Sequence, residues 1–221
     1  VLDEADRLLE MGFWPDIQWL MNAMPTERQN LLFSATLPTE LETLATGLLT
    51  NPVRIEATPL NSLVSEIEER LHLVNKSSKV PALISLLKEQ DWPQVLVFIS
   101  ARDDADAVAR KLAKAGIAVA ALHGEKDQVV REQALADFKA GRVRVLVATD
   151  LMARGIHVEA LPVVINLDLP ANAPVYVHRI GRTARAGQKG LALSLVCHGE
   201  AETLAAIRTL TGRALPLAAL E

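Results

Sequence analysis

The sequence predicts an α/β fold in which a parallel sheet is covered by helices on both faces. Two observations carry that prediction. Short β-rich runs, almost wholly apolar, recur along the chain: VLVFIS (95–100), IAVAALH (117–123), VRVLVATD (143–150), PVVINLDL (162–169) and LALSLV (191–196). Strands this apolar have no polar face to offer water, so both faces must be covered. Between the first three lie DDADAVARKLAKAG and KDQVVREQALADFKAG, where Ala, Val and Leu return at helical spacing. Strands alternating with helices make crossovers, and in such sheets functional residues collect in loops beyond the carboxyl ends of strands.

Both helical stretches end in glycine, Gly116 and Gly141, suited to a left-handed C-cap. The first part of the chain is poorer in strand signals. Only VL at the start, QNLLFSAT (29–36) and PVRIEA (52–57) qualify, too few for a sheet with its own core. ATPLNSLVS (57–65), with a proline and small polar residues, reads as a linker. The expected organisation is a remnant of one domain over 1–57, a linker over 58–64 and a complete α/β domain over 65–221.

Half of the 221 residues are hydrophobic and 23% are charged, an ordinary globular balance. No run approaches the ~18 apolar residues needed to cross a bilayer, and no basic-then-apolar leader opens the chain. The cytoplasm is therefore the expected compartment, with no membrane partner. A net charge of −4 argues against a surface coated in basic charge, while leaving room for a local basic groove. The single cysteine, Cys197, rules out an internal disulfide or a cysteine-based zinc site. Closing the apolar run LALSLVC, it is expected to be a buried, inert thiol.

DEAD (3–6) follows an apolar strand end and has two readings. It is a solvated helix start, which favours carboxylates. Alternatively Asp3 holds a hydrated Mg²⁺, and Glu4 orients or deprotonates a water beside a nucleotide γ-phosphate. In SAT (34–36), Ser34 or Thr36 caps a helix beginning near LPTELETLA, or the hydroxyls relay between the carboxylates and something beyond them. YVHRIGRTARAG (176–187) crowds His178, Arg179, Arg182 and Arg185 together. The arginines step by three and would share a face on a helical path. Their flanks are apolar or small, so they are expected to lack local partners, and planar guanidinium forks suit polyphosphate.

VLVATDLMARGIH (145–157) places Thr149, Asp150, Arg154 and Gly155 after a strand, where the first two suit a helix cap and Gly155 a left-handed turn. HGEKDQVVREQ (123–133) opens with His123, expected to be a packed or capping histidine rather than a metal ligand. Gln128 and Arg131, three apart on the next helix, are expected to face solvent.

In order and spacing, VLDEAD, SAT, LVFIS, HG followed by Q and R, ATDLMARGI and YVHRIGRTARAG closely resemble a DEAD-box ATP-dependent RNA helicase, from residue 1 to about residue 197. The resemblance implies RecA-like domains of the P-loop NTPase type, two of them, with ATP in the cleft and RNA lying across both. It implies that Asp3 and Glu4 are the Mg²⁺-binding and water-activating carboxylates. Asp6, Ser34, Thr36 and His178 correspond to the network coupling nucleotide state to domain closure. Arg182 and Arg185 match arginine fingers aimed at the γ-phosphate, with Gly155 and residue 157 at the nucleotide. Gly124, Arg131 and Thr149 match positions contacting the RNA sugar-phosphate backbone, which fix register without reading sequence.

Two departures stand out. His157 occupies a position where the family carries aspartate to bond the ribose, so weaker or pH-sensitive ribose recognition is expected. Ala184 stands where glycine is usual. The family also carries a glutamine motif and a glycine-rich P-loop with lysine ahead of VLDEAD, whereas this sequence contains no Gly-Lys pair. The expectation is the back third of a first domain plus a whole second domain, unable to hydrolyse ATP usefully by itself. The alternatives are an RNA-binding or regulatory module without a P-loop, and a DNA helicase of the same superfamily. Protein partners are expected to supply specificity.

Overall fold

The computed structural model describes residues 1–34, 37–55, 66–154, 160–184 and 189–220. It divides into two units, Val1–Ala57 and Thr58–Glu221. The expected linker over 58–64 lies outside the described residues.

The first unit holds α1 (Ala5–Glu10), α2 (Trp14–Ala23) and α3 (Thr39–Leu48). Its core is small: Ala5, Trp14, Ile17, Met21 and Leu41. Among the described residues its only sheet pairing is one parallel bridge, Leu2 to Leu32. The strand expected at PVRIEA does not form over 52–55, where Val53 and Ile55 are 84% and 83% exposed. Backbone N–H and C=O groups need a partner strand, and apolar residues without one do not make a strand. Trp19, Leu20 and Phe33 are likewise exposed.

The second unit runs β1 (Ile67–Leu73), α4 (Lys79–Glu89), β2 (Val95–Phe98), α5 (Arg102–Lys114), β3 (Val119–Leu122), α6 (Gln128–Lys139), β4 (Val145–Ala148), α7 (Asp150–Arg154), β5 (Val163–Asn166), α8 (Ala173–Ile180), β6 (Gly190–Val196), α9 (Ala201–Thr211) and β7 (Leu217–Ala219). The strands form one sheet in the order β3-β4-β2-β5-β6-β1-β7, parallel at every pairing. β2, β4 and β5 are buried along their whole length. Successive side chains point to opposite faces, so Val95 and Val97 pack with Leu83, Leu87, Val108 and Leu112 of α4 and α5. Leu96 and Phe98 point the other way and meet Phe138 of α6. Tyr176 and Ile180 of α8 share a third cluster with Leu204 and Ile207 of α9. The expected parallel sheet with helices on both faces is what the chain builds.

Gly116 and Gly141 have φ of 85° and 73°. There a β-carbon would be strained, and the following residues close back onto the helix, Ile117 N–H to Leu112 C=O (3.1 Å) and Arg142 N–H to Asp137 C=O (2.9 Å). Cys197 departs from expectation. It is half-buried, because the chain leaves β6 there and turns; its N–H donates to Glu200 Oε2 at 2.8 Å across the 3₁₀ turn His198–Glu200. No described helix is long and apolar enough to cross a membrane.

The contrast between the units is measurable by amide exchange. Amides of 1–34 and 37–55 are expected to exchange faster than those of β2, β4 and β5; equal protection by mass spectrometry would contradict the small-core picture.

Candidate functional site

In the first unit the DEAD stretch is set by its contact with residues 31–34. Leu2 N–H donates to Leu31 C=O (2.8 Å), Phe33 N–H to Leu2 C=O (2.7 Å) and Ala5 N–H to Phe33 C=O (3.0 Å). Asp3 and Glu4 are exposed at the end of this short pairing, and Asp3 Oδ1 accepts the Glu4 N–H at 2.9 Å. Glu4 adopts φ 48°, a left-handed conformation that costs a non-glycine residue and recurs at functional sites. Ala5 and Asp6 then turn into the core.

Ser34 does cap a helix, but not the expected one. Its Oγ accepts the Asp6 N–H at 3.1 Å, in the first turn of α1, whereas the N-cap of α3 is Pro38, with no side-chain cap hydrogen bond. The unmet N–H nearest to Ser34 belongs to α1, brought there by the Leu2–Leu32 bridge. Thr36 lies outside the described residues, as do Gly155, His157 and Arg185.

No described cluster of three His, Cys, Asp or Glu side chains is placed to hold a metal. Asp3 offers one exposed carboxylate, a hard-oxygen donor that suits Mg²⁺ keeping most of its waters and resting on nucleotide phosphates.

In the second unit the described candidate residues follow the carboxyl ends of β3, β4 and β5. His123, the exit of β3, is 5% exposed and bonds Asp106 through Nε2 at 3.0 Å, so it is a packed histidine as expected. The Lys126 hydrogen bond holds the Asp106 carboxyl below its usual pKa, with burial opposing and His123 assisting. Gly124 is exposed, and a β-carbon there would meet nothing within 4 Å. Gln128 faces solvent and bonds Glu132. Arg131 does not: it is half-buried, its Nη1 lies 3.3 Å from Met152 Sδ, and its buried Nε has no partner. Thr149 caps α7 through its carbonyl, which accepts the N–H groups of Met152 (3.1 Å) and Ala153 (3.0 Å).

Arg179 has no local partner, as its flanks imply, but it is fully paired through space, and it does not share a helical face with Arg182. α8 stops at Ile180 because Gly181 turns, so Arg179 and Arg182 leave on different geometry. Arg179 is 1% exposed. Its Nε and Nη2 form a fork with Asp150 (2.6 and 2.8 Å), and its Nη1 donates to the Asp168 carbonyl (2.6 Å) and Asn166 Oδ1 (3.2 Å). The guanidinium lies 4.9 Å from the Phe98 ring centre. Its partners are distant in sequence, which the flanking residues could not show. A shallow crevice joins Phe98, Asp150, Ala153, His178, Arg179 and Arg182.

The turn after α8 is tightly built. Arg182 C=O accepts the Leu161 N–H at 3.0 Å, and the Thr183 hydroxyl donates to the Leu161 carbonyl. Ala184 is buried at φ 54°, which explains physically why glycine suits that position. A β-carbon on Gly190 would sit 2.6 Å from the Ala184 nitrogen, so β6 must start with glycine.

The helicase conserved C-terminal domain family matches residues 78–187, and the DEAD/DEAH box helicase family matches 1–44. The DEAD-box protein SrmB of E. coli, solved bound to regulator of ribonuclease activity A, is 35% identical over 69% of this chain and 90% of that one, at a TM-score of 0.64. The chain belongs to the DEAD-box RNA helicase family. The ATP-dependent RNA helicase RhlB of Hamiltonella defensa is 40% identical over 219 residues, 98% of this DEAD-box chain and 52% of that protein. S. cerevisiae Dbp5, solved bound to RNA and ADP BeF3, superposes at a TM-score of 0.87 with 30% identity, covering 99% of this chain and 58% of that one. The DEAD-box chain thus spans about half the length of the curated relatives it matches.

Sequence reading missed the residues that brace this helicase domain: Lys79, Asp168 and Glu200, and the buried Glu69, which accepts from the Tyr176 hydroxyl (2.5 Å) and pairs with Arg213. Burial, and then Glu69, pushes the Tyr176 pKa up. The signal was faint: a lysine opening a helix and single carboxylates after strands look like surface. For Glu200, burial works against ionisation, but hydrogen bonds from Lys79 and from the N–H groups of Cys197 and Leu169 outweigh it and lower its pKa.

Because that pKa is depressed on folding, the unfolded chain binds more protons between the folded value and the usual 4.5. The stabilisation is present above that window and is lost as pH falls through it. Urea melts at stepped pH are expected to show a shallower acid loss in Glu200→Gln; an unchanged slope would contradict the assignment. Ser34→Ala is expected to cost about 1 kcal/mol at α1, read as faster exchange of the Asp6 amide.

Proposed function

We propose that this chain supplies the nucleotide-sensing and RNA-gripping parts of an ATP-dependent RNA helicase that couples ATP hydrolysis to local unwinding or ribonucleoprotein remodelling. The observation that carries the reading is the buried Arg179–Asp150 fork, which holds His178 and Arg182 at one crevice beyond the strand ends. Family membership supports reading that crevice as the nucleotide-facing one.

In this reading Asp3 would hold a hydrated Mg²⁺, which would supply charge compensation at the phosphates. Glu4, exposed beside it, orients the attacking water and accepts its proton. Arg182 and Arg185 stabilise charge that develops on the transferred phosphoryl group, where fixed guanidinium forks act most strongly. Asp6, Ser34, Thr36 and His178 couple nucleotide state to domain closure. Gly155 and His157 contact the nucleotide.

RNA backbone is taken up at Gly124, Arg131 and Thr149. Arg131 supports this: its half-buried guanidinium is backed by the Met152 thioether, 3.3 Å from Nη1, and a planar fork of this kind suits phosphate oxygens. Gly124 leaves its backbone open to close approach. These contacts read no bases, so targets are chosen by protein partners, and the cytoplasm is the proposed compartment. RNA and protein partners of this kind occur among relatives: Dbp5 structures carry RNA with ADP BeF3, or the protein Gle1.

The 221 residues contain no Gly-Lys pair and hence no lysine-bearing phosphate loop, so the chain by itself is expected to show no RNA-stimulated ATP turnover. Joined behind the first domain of the RhlB relative, it is expected to turn over ATP, and Arg182→Ala to lower kcat by roughly 10³-fold. Undiminished turnover in that variant would overturn the reading. Arg131→Ala is expected to weaken RNA binding evenly across sequences and to reduce the salt slope by about 1. A sequence-selective loss, or equal binding to matched DNA, would point to a different nucleic-acid contact.

A further inference from the structure

Lys79 is a buried cation that none of the motif chemistry uses. It opens α4, is 4% exposed, and reaches two carboxylates far along the chain: Asp168 Oδ1 at 3.2 Å and Glu200 Oε2 at 2.8 Å. The location is unfavourable twice over. An ammonium is costly to remove from water, and the amino end of a helix is where positive charge is least welcome. Something must hold it there, and both of its partners are engaged in further bonds.

Asp168 is the decisive partner. Its Oδ2 accepts the Ser100 N–H at 3.3 Å, pinning the exit of β2. Its own backbone carbonyl accepts Arg179 Nη1 at 2.6 Å. Glu200 fixes the neighbouring residue, accepting the Leu169 N–H at 2.8 Å through Oε1. Lys79 therefore clamps the segment 168–169 from its side-chain face while Arg179 is held from its backbone face. The other side of the Arg179 guanidinium is closed by Asp150. Arg182 follows within one turn, its N–H donating to the Arg179 carbonyl at 3.2 Å.

We infer that Lys79 is a positioning residue for the arginine turn: it sets the Asp168 carbonyl that locates the Arg179 guanidinium, and through Arg179 it sets Arg182. The inference rests on the proposed role of Arg182 only for its functional meaning; the geometry stands without it. Replacing Lys79 with an apolar side chain would leave the Asp168 and Glu200 carboxylates facing one another with no cation between them. Like charges that close repel, so segment 168–169 would shift and the Arg179 fork would loosen. The sheet itself, held by backbone pairings of β2, β4 and β5 in which Lys79 takes no part, would not.

The test uses the 221-residue chain without nucleotide or RNA, so it is independent of whether the helicase reading holds. In ¹⁵N-labelled protein the Arg179 Nε–H, buried and bonded to Asp150, is expected to be a slowly exchanging side-chain signal. In Lys79→Met its exchange should rise at least tenfold relative to the Val97 and Val147 amides of the same sample. A purely structural ion pair would accelerate the side-chain and core signals in parallel. If Lys79→Met does not fold, Glu200→Gln weakens the same clamp and should give the same selective change at smaller amplitude. Selective loosening of Arg179 Nε–H in the folded variant supports the inference; an unchanged ratio to the core amides overturns it.

Discussion

A guanidinium with almost no water around it must be balanced where it sits, and Arg179 is balanced from three sides. Asp150 neutralises it through two parallel bonds, the Asp168 carbonyl and Asn166 take its remaining donors, and Phe98 lies beneath its plane. A buried ion left without its partner costs several kcal/mol, so these groups move together or not at all. They come from the ends of β4, β5 and β2 and from α8. One side chain thereby ties four elements into a single arrangement, and the crevice beside it inherits that rigidity.

The fold follows from where apolar residues can go. β2, β4 and β5 are buried throughout because helices cover them on both sides, and that requirement was legible in VLVF, VLVA and VVIN. β1 was not legible. IEERLHL carries charge at three of its first four positions, yet the Glu69 side chain is buried, where Arg213 and Tyr176 meet it. A strand whose buried carboxylate is satisfied from 107 and 144 residues away has no local signature. β7, three exposed residues, offers too short a pattern. The glycine stops after α5 and α6 were legible because a left-handed C-cap is a local matter of one residue's backbone.

The site divides along the same line. Residues placed just past a strand end, such as Asp3, Gly124 and Thr149, could be located from sequence, because the end of an apolar run is a local pattern. Those whose role depends on a distant partner were misread or missed. Arg179 looked like one of a row of cations without local partners and is enclosed by groups distant in sequence. Ser34 looked like the cap of the helix that follows it and instead serves the helix that precedes it by 28 residues. In each case the chain neighbours were read correctly and the neighbours in space decided the outcome.

Ala184 and Gly190 press against each other at the base of the arginine turn, the first with a left-handed backbone and the second with no room for a side chain. Their tolerance to substitution is therefore unequal. Position 184 accepts either of the two smallest amino acids and exchanges strain for slack between them, whereas position 190 accepts one. A chain drifting through neutral change could soften its arginine turn at the first site many times over and never once at the second.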